Sequence, residues 1–445
     1  QSVHTTALRA TAEKGSKAVP YNLSNSTGAA DVENTANCYV VNAPGTYSFP
    51  LVYGNAINNG QVNYAAYTSK ASIQGTLNPF INHLGNGITD PYIAKNTDCV
   101  PVKAELVWQD APSLVTDIKY NSGTNGGTIS FKVDKENIRQ GNALIAIKDS
   151  QNTILWSWHI WITDENIYHT IKVTNHQNVS HDLMPIHLGW CEGEVINYAA
   201  RSCQVQFIAH GQTRLITVNQ MRSTTSTQGN CTFYEWGRKD PLRPSSGYAY
   251  KNKTWYNAAG IASTANHAVE SFPFGNECIK NYIRKPDVMQ KEIGGDNTYF
   301  NLWNADNNTN SNVYNDNPVT KTVYDPCPVG FAMPPSNTFT GFTTTGENVT
   351  NTVAKYNGEW NSSLPGWNFY CGPNKTGGTI FFPMTGERIS SGGHLSAVGS
   401  LGHTWSATST HSNYAHNLTL YTNYWVWPLD RFSKSAGHGV RPCLE

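Results

Sequence analysis

Nine cysteines are the residues with the clearest chemical potential in this chain. They form no Cys-x-x-Cys pair and no Cys/His spacing of the kind that binds zinc, so the pattern favours disulfides over metal binding. Disulfides would indicate an oxidising compartment. The alternative is that several cysteines are small, buried apolar side chains. Because nine is an odd number, at least one thiol stays unpaired within the chain.

A second group of residues could bind a ligand by stacking. Residues 421–427 contain Tyr421, Tyr424, Trp425 and Trp427, which is too aromatic for an ordinary loop. Aromatic side chains stack on sugar rings and supply a large contact area. Trp425 and Trp427 alternate, which favours the buried face of a strand for these two residues. We therefore predict Tyr421 and Tyr424 as the exposed, ligand-binding pair, and we predict no metal ligands.

Side chains suited to acid–base or nucleophilic catalysis are present but scattered. The sequence contains no nucleophile elbow, zinc-protease or phosphate-loop motif, and its carboxylates form no evident acid/base pair. His159 lies in a Trp-rich strand pattern with no carboxylate or cysteine beside it, which favours a core histidine over a functional one. We predict that the chain is not an enzyme and needs no cofactor.

Residues 234–240, Tyr-Glu-Trp-Gly-Arg-Lys-Asp, place four charged side chains beside two aromatic rings. Such a cluster could form the rim of a ligand site. More often it is an internal network of ion pairs that fixes the surrounding loops. We favour the internal network.

The overall composition limits the kinds of partner. Lys and Arg number 31 and Asp and Glu number 31, and charged residues make up only 14% of the chain, against about 25% in an average soluble protein. A neutral surface rich in Asn, Thr and aromatic residues suits sugars or proteins, and it excludes nucleic acid, which requires a Lys/Arg face. No apolar run reaches the ~18 residues of a transmembrane helix.

The elements that must position these residues are mostly strands. Between residues 37 and 163, short strand patterns follow one another between Gly, Pro and Asn turns, which predicts an antiparallel β-sandwich. The strongest pattern is Ile154–Ile162, with Trp156 and Trp158 on one face and Leu155 and Trp161 on the other. Apolar residues on both faces indicate a central strand that is covered on both sides.

The rest of the chain has weaker and shorter strand patterns. Residues 1–30 have little apolar periodicity and predict a flexible arm or an edge strand. From residue 166 onward, strands are short and loops are long, and only 258–269 and 288–292 are predicted as helices. We therefore divide the chain into an arm (1–30), a β-sandwich domain (31–165) and a loop-rich domain (166–445).

A series of short motifs occurs in a fixed order along the chain. The motifs are Asn-Cys-Tyr-Val-Val-Asn-Ala-Pro-Gly-Thr-Tyr at 37–47, Leu-Met-Pro-Ile-His-Leu-Gly-Trp at 183–190, Tyr-Asp-Pro-Cys-Pro-Val-Gly-Phe at 324–331, Phe-Phe-Pro-Met-Thr-Gly-Glu-Arg at 381–388, Gly-His-Thr-Trp-Ser at 402–406 and Gly-Val-Arg-Pro-Cys at 439–443. This set resembles the C-type-lectin-like domain in surface proteins of Bacteroides-type bacteria. The relatives include Fibrobacter major paralogous domain proteins and the tip adhesins of fimbriae.

The resemblance implies a mostly β fold with some α, in which the β-sandwich is followed by an α+β C-type-lectin-like domain with long loops over 166–445. It also implies a secreted adhesion protein of the outer-membrane surface, a fimbrial tip or accessory subunit. Its N-terminal domain would hold neighbouring fimbrial subunits, and its C-terminal domain would bind a host or bacterial surface glycan or protein. The alternatives are a stand-alone surface glycan-binding protein and, less favoured, a hydrolytic or formylglycine-generating-enzyme-like protein.

The same resemblance implies disulfides and bears on calcium. A lectin-like fold brings its two ends together, and cysteines lie at both. The predicted pairs are Cys327 with Cys443, Cys38 with Cys99, and Cys191 with Cys203. The remaining cysteines, Cys231, Cys278 and Cys371, are not assigned. The acidic Glu-Pro-Asn or Gln-Pro-Asp turn of sugar-binding C-type lectins is absent, so we predict no obligatory calcium.

Overall fold

The computed structural model describes residues 2–68, 75–193, 195–247, 250–291, 299–307, 313–410, 413–422 and 424–445. Within these ranges the fold is mostly β, with two α-helices, which confirms the predicted class. Short 3₁₀ turns occupy Tyr64–Ala66, Ile93–Lys95, Thr124–Gly126, Thr340–Phe342, Val353–Lys355 and Pro373–Lys375. In the described part of the chain, no helix is both long and apolar enough to span a membrane.

Both α-helices lie where the sequence predicted none. Ser2–Ala10 falls in the predicted arm and packs its buried Leu8 into the main core. Asn276–Arg284 buries Cys278, Ile279, Tyr282 and Ile283, which share one side of the helix. Both segments are short, so the tertiary contacts of one apolar face decide their conformation more than local propensity does.

The two predicted helices were wrong. Within 258–269 the structure has strands Ala262–Ser263 and Ala268–Glu270, and within 288–292 it has strand Val288–Gln290. Val288–Gln290 pairs in parallel with Ala268–Glu270. A pairing between segments so far apart in sequence overrides a weak local helix preference.

Two sheets contain most of the strands before residue 163, and the larger sheet also includes two strands from 255–263. The smaller sheet has its strands in the order Tyr21–Asn22, Gly45–Pro50, Thr128–Val133, Thr116–Asn121, and the larger has Ala262–Ser263, Trp255–Tyr256, Lys103–Gln109, Gly141–Lys148, Ile154–Ile162, Cys38–Val41. Phe49 links the two sheets, because its ring lies 6.3 Å from that of Phe131 and 5.1 Å from that of Trp158. The pairing is not purely antiparallel: Cys38–Val41 runs parallel to Ile154–Ile162.

Strand Ile154–Ile162 is covered on both faces, as its sequence predicts. All its residues after Ile154 are buried. One face turns Trp158 towards the smaller sheet. The other face contacts the later part of the chain, because the Ser157 hydroxyl donates to Asp240 Oδ1 at 2.7 Å and Trp161 Nε1 donates to the Trp190 carbonyl at 3.1 Å. This strand therefore joins the N-terminal sheets to the segment that follows residue 166.

The rest of the described chain forms smaller sheets. A four-stranded sheet has the order Val349–Thr350, Trp425–Ser433, Tyr414–Tyr421, Leu401–Ser409, and a three-stranded sheet has the order Gly358–Asn361, Gly366–Gly372, Thr376–Pro383. A separate core cluster, which includes Phe369, Phe382, Leu420 and Val426, lies between them. The two-stranded pairs are Ile57–Asn58 with Gln61–Val62, Val195–Tyr198 with Ser223–Ser226, Arg201–Ala209 with Gln212–Gln220, Ala268–Glu270 with Val288–Gln290, and Glu387–Arg388 with Leu395–Ser396.

A further four-stranded sheet is completed by the strand Cys443–Leu444. Its order is Ile171–Thr174, Ser180–Leu183, Cys443–Leu444, Phe331–Ala332. Cys443 pairs with Leu183 on one side and with Ala332 on the other. Strand Cys443–Leu444 is therefore an inner strand and has no free edge.

Candidate functional site

Tyr421 and Tyr424 flank a hairpin turn of the four-stranded sheet. Strands Tyr414–Tyr421 and Trp425–Ser433 are antiparallel, and Tyr421 pairs with Trp425. The Tyr424 backbone N–H donates to the Tyr421 carbonyl at 3.0 Å, which closes the turn. The Tyr424 carbonyl in turn accepts from the Asn351 N–H at 2.8 Å and from the Tyr356 hydroxyl. The turn is therefore anchored on both sides.

The turn supports a continuous row of four aromatic rings, which we call the aromatic row. Its members, in spatial order, are Tyr424, Tyr421, Trp425 and Trp427. The ring centroids of successive members lie 6.2, 5.0 and 4.6 Å apart. Tyr424 is 50% exposed, and the other three are half-buried. The structure thus brings the two predicted ligand residues together and adds two tryptophans to them.

The prediction that Trp425 and Trp427 form a buried strand face was wrong. The face turned to the core carries Val426, which pairs with Leu420 and with Val349. Alternation shows which residues share a face, but it does not show which face is inside. Because both faces of this strand are apolar, the sequence pattern alone could not decide between them.

The two segments that carry and flank the aromatic row are polar and uncharged. Neither 417–429 nor the neighbouring 348–352 contains Asp, Glu, Lys, Arg or His. Trp427 Nε1 donates to Thr350 Oγ1 at 3.0 Å, which fixes the orientation of the indole. These two segments offer a ligand ring edges, hydroxyls and amides. This chemistry suits a neutral, hydroxyl-rich molecule.

The geometry of the rings shows which of them is open to stacking. Trp425 and Trp427 are parallel within 6°, so each covers one face of the other. Tyr424 lies at the end of the row and is the most exposed of the four side chains. We infer that Tyr424 offers a ring face, while Tyr421 and Trp425 support it from behind.

Residues 234–240 form an internal network of ion pairs, as the sequence predicts. Glu235 and Arg238 are buried and paired with each other. Lys239 Nζ contacts Asp240 Oδ1 at 2.7 Å, donates to the Ser157 carbonyl at 3.0 Å, and lies 4.5 Å from the centre of the Trp156 ring. Burial lowers the pKa of Lys239 to about 8. This cluster joins two parts of the core and does not line a ligand site.

His159 is a core histidine, as its sequence context predicts. Its Nε2 lies 2.9 Å from Asn142 Oδ1, and the Tyr234 hydroxyl lies 3.2 Å from its Nδ1. Asn142 Nδ2 donates to Asp110 Oδ2 at 3.0 Å, so Asn142 turns its oxygen towards the imidazole. Both ring nitrogens are therefore satisfied in the neutral tautomer that carries its proton on Nε2.

No disulfide joins any of the nine cysteines, so the structure does not support the predicted pairs. For Cys327 and Cys443 the reason is packing: Cys327 belongs to the main core cluster, whereas Cys443 belongs to the separate cluster beneath strand Trp425–Ser433. The two ends of the segment 327–443 therefore enter different cores.

The other two predicted pairs also lie in separate surroundings. Cys38 opens the strand beside His159, whereas Cys99 Sγ accepts a hydrogen bond from Asn82 Nδ2 at 3.4 Å. Cys191 is buried, whereas Cys203 lies exposed on the hairpin formed by Arg201–Ala209 and Gln212–Gln220. Burial raises the pKa of Cys191 to about 12 and that of Cys443 to about 12, so these thiols stay protonated.

Glu387, His403 and His438 form a second cluster that the sequence did not predict. One ligand atom from each lies within 4.8 Å of the others. These residues lie within or beside the motifs 381–388, 402–406 and 439–443, but their separation along the chain gives no metal-like spacing. The feature that these three residues share in the sequence is that each is next to a glycine.

The chain matches no protein-family model, no curated protein and no solved structure. The chemistry of the aromatic row is therefore interpreted from its own side chains.

Proposed function

We propose that this chain is a secreted cell-surface adhesion protein that binds a neutral glycan through the aromatic row. The observation that carries the proposal is the partly exposed row of Tyr424, Tyr421, Trp425 and Trp427 on an anchored turn. Rigid aromatic rings with polar neighbours bind sugars well, because the rings cover the C–H faces of a sugar while hydroxyls and amides bond its rim.

The extent and neutrality of the row favour an oligosaccharide over a charged ligand. Tyr424 offers the open ring face, and the partly exposed rings of Tyr421, Trp425 and Trp427 extend the contact surface beyond one sugar unit. No charged residue occurs in 417–429 or 348–352, so an acidic sugar or a phosphate would find no counter-charge on these segments. The ligand class is therefore a neutral glycan chain on a host or bacterial surface.

The place of the protein in an assembly is also part of the proposal. The motif resemblance supports a fimbrial tip or accessory subunit, with a β-sandwich domain that holds the neighbouring subunit and a C-type-lectin-like domain that faces outward. Strand Thr116–Asn121 is the edge of its sheet and could accept a strand from a neighbour. Strand Cys443–Leu444 is an inner strand, so it could not be donated. The alternative is a stand-alone surface glycan-binding protein.

The test of glycan binding uses the purified chain on an array of neutral and acidic glycans. Tyr424→Ala should weaken binding to the best neutral glycan roughly tenfold, since a lost aromatic contact costs about 1 kcal/mol or more. Tyr421→Ala should weaken binding less, because its ring supports Tyr424. The matched control is Tyr250→Ala, which removes a tyrosine that is 71% exposed and lies outside the row.

Each variant must keep the melting temperature of the parent chain, so that the loss reports on contact rather than unfolding. Unchanged glycan binding by folded Tyr424→Ala would contradict the proposal. Crosslinking in assembled fibres distinguishes the two cellular roles: a tip subunit has one neighbour, attached through residues 1–165. Neighbours on both 1–165 and 166–445 would rule out the tip position.

A further inference from the structure

Three neighbouring backbone segments bring Glu387, His403 and His438 together. Gly386 bridges in parallel to Gly402, and Thr404 bridges in parallel to Gly439. Glu387 follows Gly386, His403 lies between Gly402 and Thr404, and His438 precedes Gly439. Each member of the cluster is therefore next to a bridged residue. The cluster lies where three parts of the chain meet, on the side of the sheet that also carries the aromatic row, because His403 pairs with Thr419 and Thr419 pairs with Trp427.

The side chains of the cluster lie close together and almost out of contact with water. His438 Nε2 lies 3.7 Å from Glu387 Oε2, and the two imidazole rings stack with their centroids 4.1 Å apart. His403 is 2% exposed and His438 is 0% exposed. The Glu387 side chain is 12% exposed and is the member of the cluster nearest to solvent.

Three ring nitrogens of this cluster have no hydrogen-bond partner among the described residues. They are His403 Nε2, His438 Nδ1 and His438 Nε2. A buried polar atom without a partner loses its hydration without compensation, so folded proteins rarely leave such atoms unpaired. A bound cation would satisfy the two Nε2 atoms and the carboxylate together.

The remaining nitrogen of His403 is held in a way that prepares Nε2 as a ligand. The Thr419 hydroxyl donates to Asp430 Oδ2 at 2.5 Å, so its oxygen is free to accept. His403 Nδ1 lies 2.9 Å from that oxygen and 3.0 Å from Asn417 Nδ2, so it donates to Thr419 in one neutral tautomer and accepts from Asn417 in the other. A metal ion selects the Nδ1-protonated tautomer, in which the lone pair of His403 is on Nε2, inside the cluster. Metal-binding histidines are commonly fixed in this manner by a partner of their second nitrogen.

We propose that Glu387, His403 and His438 bind one divalent transition-metal ion, with Zn²⁺ the preferred ion. Two imidazoles and one carboxylate form a donor set that suits zinc, at Zn–N distances of about 2.0–2.1 Å. Calcium and magnesium prefer oxygen donors and gain little from two imidazoles. Three protein donors leave one position of a tetrahedral ion for water.

Binding requires a rearrangement of the stacked rings. The two imidazoles are parallel within 8°, so their in-plane lone pairs run side by side rather than towards one point. His403 is tied to Thr419, but His438 has no hydrogen bond to break. His438 lies face to face between His403 and Trp405, at centroid distances of 4.1 and 4.2 Å, so it turns about its Cβ–Cγ bond only as this stack opens. The bound ion then fastens three chain segments to one another.

The test measures metal binding by the full-length, tag-free chain. After treatment with a chelator, the protein is titrated with Zn²⁺ by calorimetry and with Co²⁺ by absorption spectroscopy, because tetrahedral Co²⁺ with nitrogen ligands gives characteristic visible bands. The expected result is one ion per chain and a rise in melting temperature on binding. A chain that binds neither ion, or that shows only weak octahedral Co²⁺ spectra, overturns the proposal.

The variants locate the site. Glu387→Gln and His438→Gln should weaken Zn²⁺ binding by more than roughly 100-fold, and Thr419→Val should weaken it by about 10–100-fold through loss of the support to His403. The matched control is His416→Gln, because His416 is also buried with both ring nitrogens unpartnered among the described residues, yet it lies outside the cluster. Equal binding by His438→Gln and the parent would place the ion elsewhere and overturn the proposal.

The chelator-treated variants also report on folding without metal. If His438→Gln melts at the same temperature as the chelator-treated parent but no longer gains stability from Zn²⁺, the loss is one of binding and supports the site. A parent chain whose melting temperature and Co²⁺ spectrum do not respond to metal identifies the two histidines as a plain core stack. That result overturns the proposal.

Discussion

At the residue scale, His159 shows how burial makes a histidine sensitive to acid. Its neutral form is satisfied at both nitrogens, by Asn142 and by Tyr234. Burial lowers the pKa of His159 to about 3, because a charged imidazole would lose its hydration. In the unfolded chain the same group has a pKa near 6.5 (about the model-peptide value). Below about pH 6.5 the unfolded chain binds a proton on the His159 imidazole, whereas the folded chain keeps this imidazole neutral.

We therefore expect His159 to destabilise the fold as the pH falls from about 6.5 towards 3, by up to ~1.4 kcal/mol per pH unit. Its full contribution to stability is present above pH 6.5 (about the unfolded-state pKa). Urea unfolding of the parent and of His159→Gln, between about pH 7 and pH 4, should give a smaller pH slope for the variant. The difference should correspond to one proton. Parallel slopes would show that His159 does not titrate in this way.

The cysteines allow a second prediction at this scale. Cys203 is exposed, Cys371 is half-buried with a pKa raised by burial, and the other seven are buried. A maleimide should therefore label Cys203 first in the native protein, Cys371 slowly, and the rest only after unfolding. The Cys203→Ser variant should lose the fast phase. Peptide mapping without reductant that finds Cys327 joined to Cys443 would contradict the structure.

At the element scale, the most unusual feature is the hairpin of Arg201–Ala209 and Gln212–Gln220. Every residue of both strands is exposed. His210 and Gly211 both have positive φ, of 49° and 74°, which fits the tight turn of a two-residue hairpin loop. One face carries Val205 and Phe207 opposite Ile216 and Arg214. A two-stranded ribbon without a covered face is only marginally stable by itself.

We expect the fold to tolerate removal of this hairpin. Tyr198 and Ser223 are paired, so an Asn-Gly turn can replace 199–222 and join them directly. No side chain of the two removed strands is buried, so the melting temperature should change by less than about 2 °C. Differential scanning fluorimetry of the deletion variant beside the parent measures the change. A larger drop would show that the hairpin packs against the body.

Which elements could be predicted from the sequence depends on how local their signal is. Strand Ile154–Ile162 was predicted correctly because its β-branched and aromatic residues leave no polar face. The network at 234–240 was predicted because four charges beside two rings need partners. The helices Ser2–Ala10 and Asn276–Arg284 were missed, because each is short and gains its stability from the core it contacts.

The sites divide in the same way. The proximity of Tyr421 and Tyr424 could be predicted because they lie three residues apart on one turn, whereas their role in binding stays a prediction. Glu387, His403 and His438 could not be found, because their proximity depends on bridges between segments that are distant in sequence. The sequence did not show which face of strand Trp425–Ser433 is buried, because both faces carry apolar residues. Tertiary packing buries the face with Val426 and leaves Trp425 and Trp427 on the other face.

At the scale of the whole molecule, residues from the first and last parts of the chain share one core. The main cluster contains Leu8 and Val440, and the ring of Trp156 lies 6.1 Å from that of Tyr324. The Asn37 amide donates to the carbonyls of Val323 and Asp325 at 2.6 and 2.8 Å. Part of the larger N-terminal sheet is therefore covered by later parts of the chain rather than by water.

This sharing predicts how a fragment behaves. A chain cut after residue 165 exposes the face of strand Ile154–Ile162 that carries Ser157 and His159, and it lacks Lys239 and Asp240, which bond Ser157. We expect the fragment to unfold without a cooperative transition and to bind a hydrophobic dye. Near-ultraviolet circular dichroism during heating, with the full-length chain as control, measures this. A sharp transition at the temperature of the full-length chain would show instead that 1–165 folds independently.

The position of strand Cys443–Leu444 determines when one sheet can form during synthesis on the ribosome. It lies between Ser180–Leu183 and Phe331–Ala332, so those two strands have no common partner until residue 444 has left the exit tunnel. Synthesis proceeds from the N-terminus, so both strands wait while more than a hundred further residues are added after Ala332. During that interval one edge of each strand stays open to other nascent chains, and closure of this sheet comes more than a hundred residues later than the synthesis of the strands it joins.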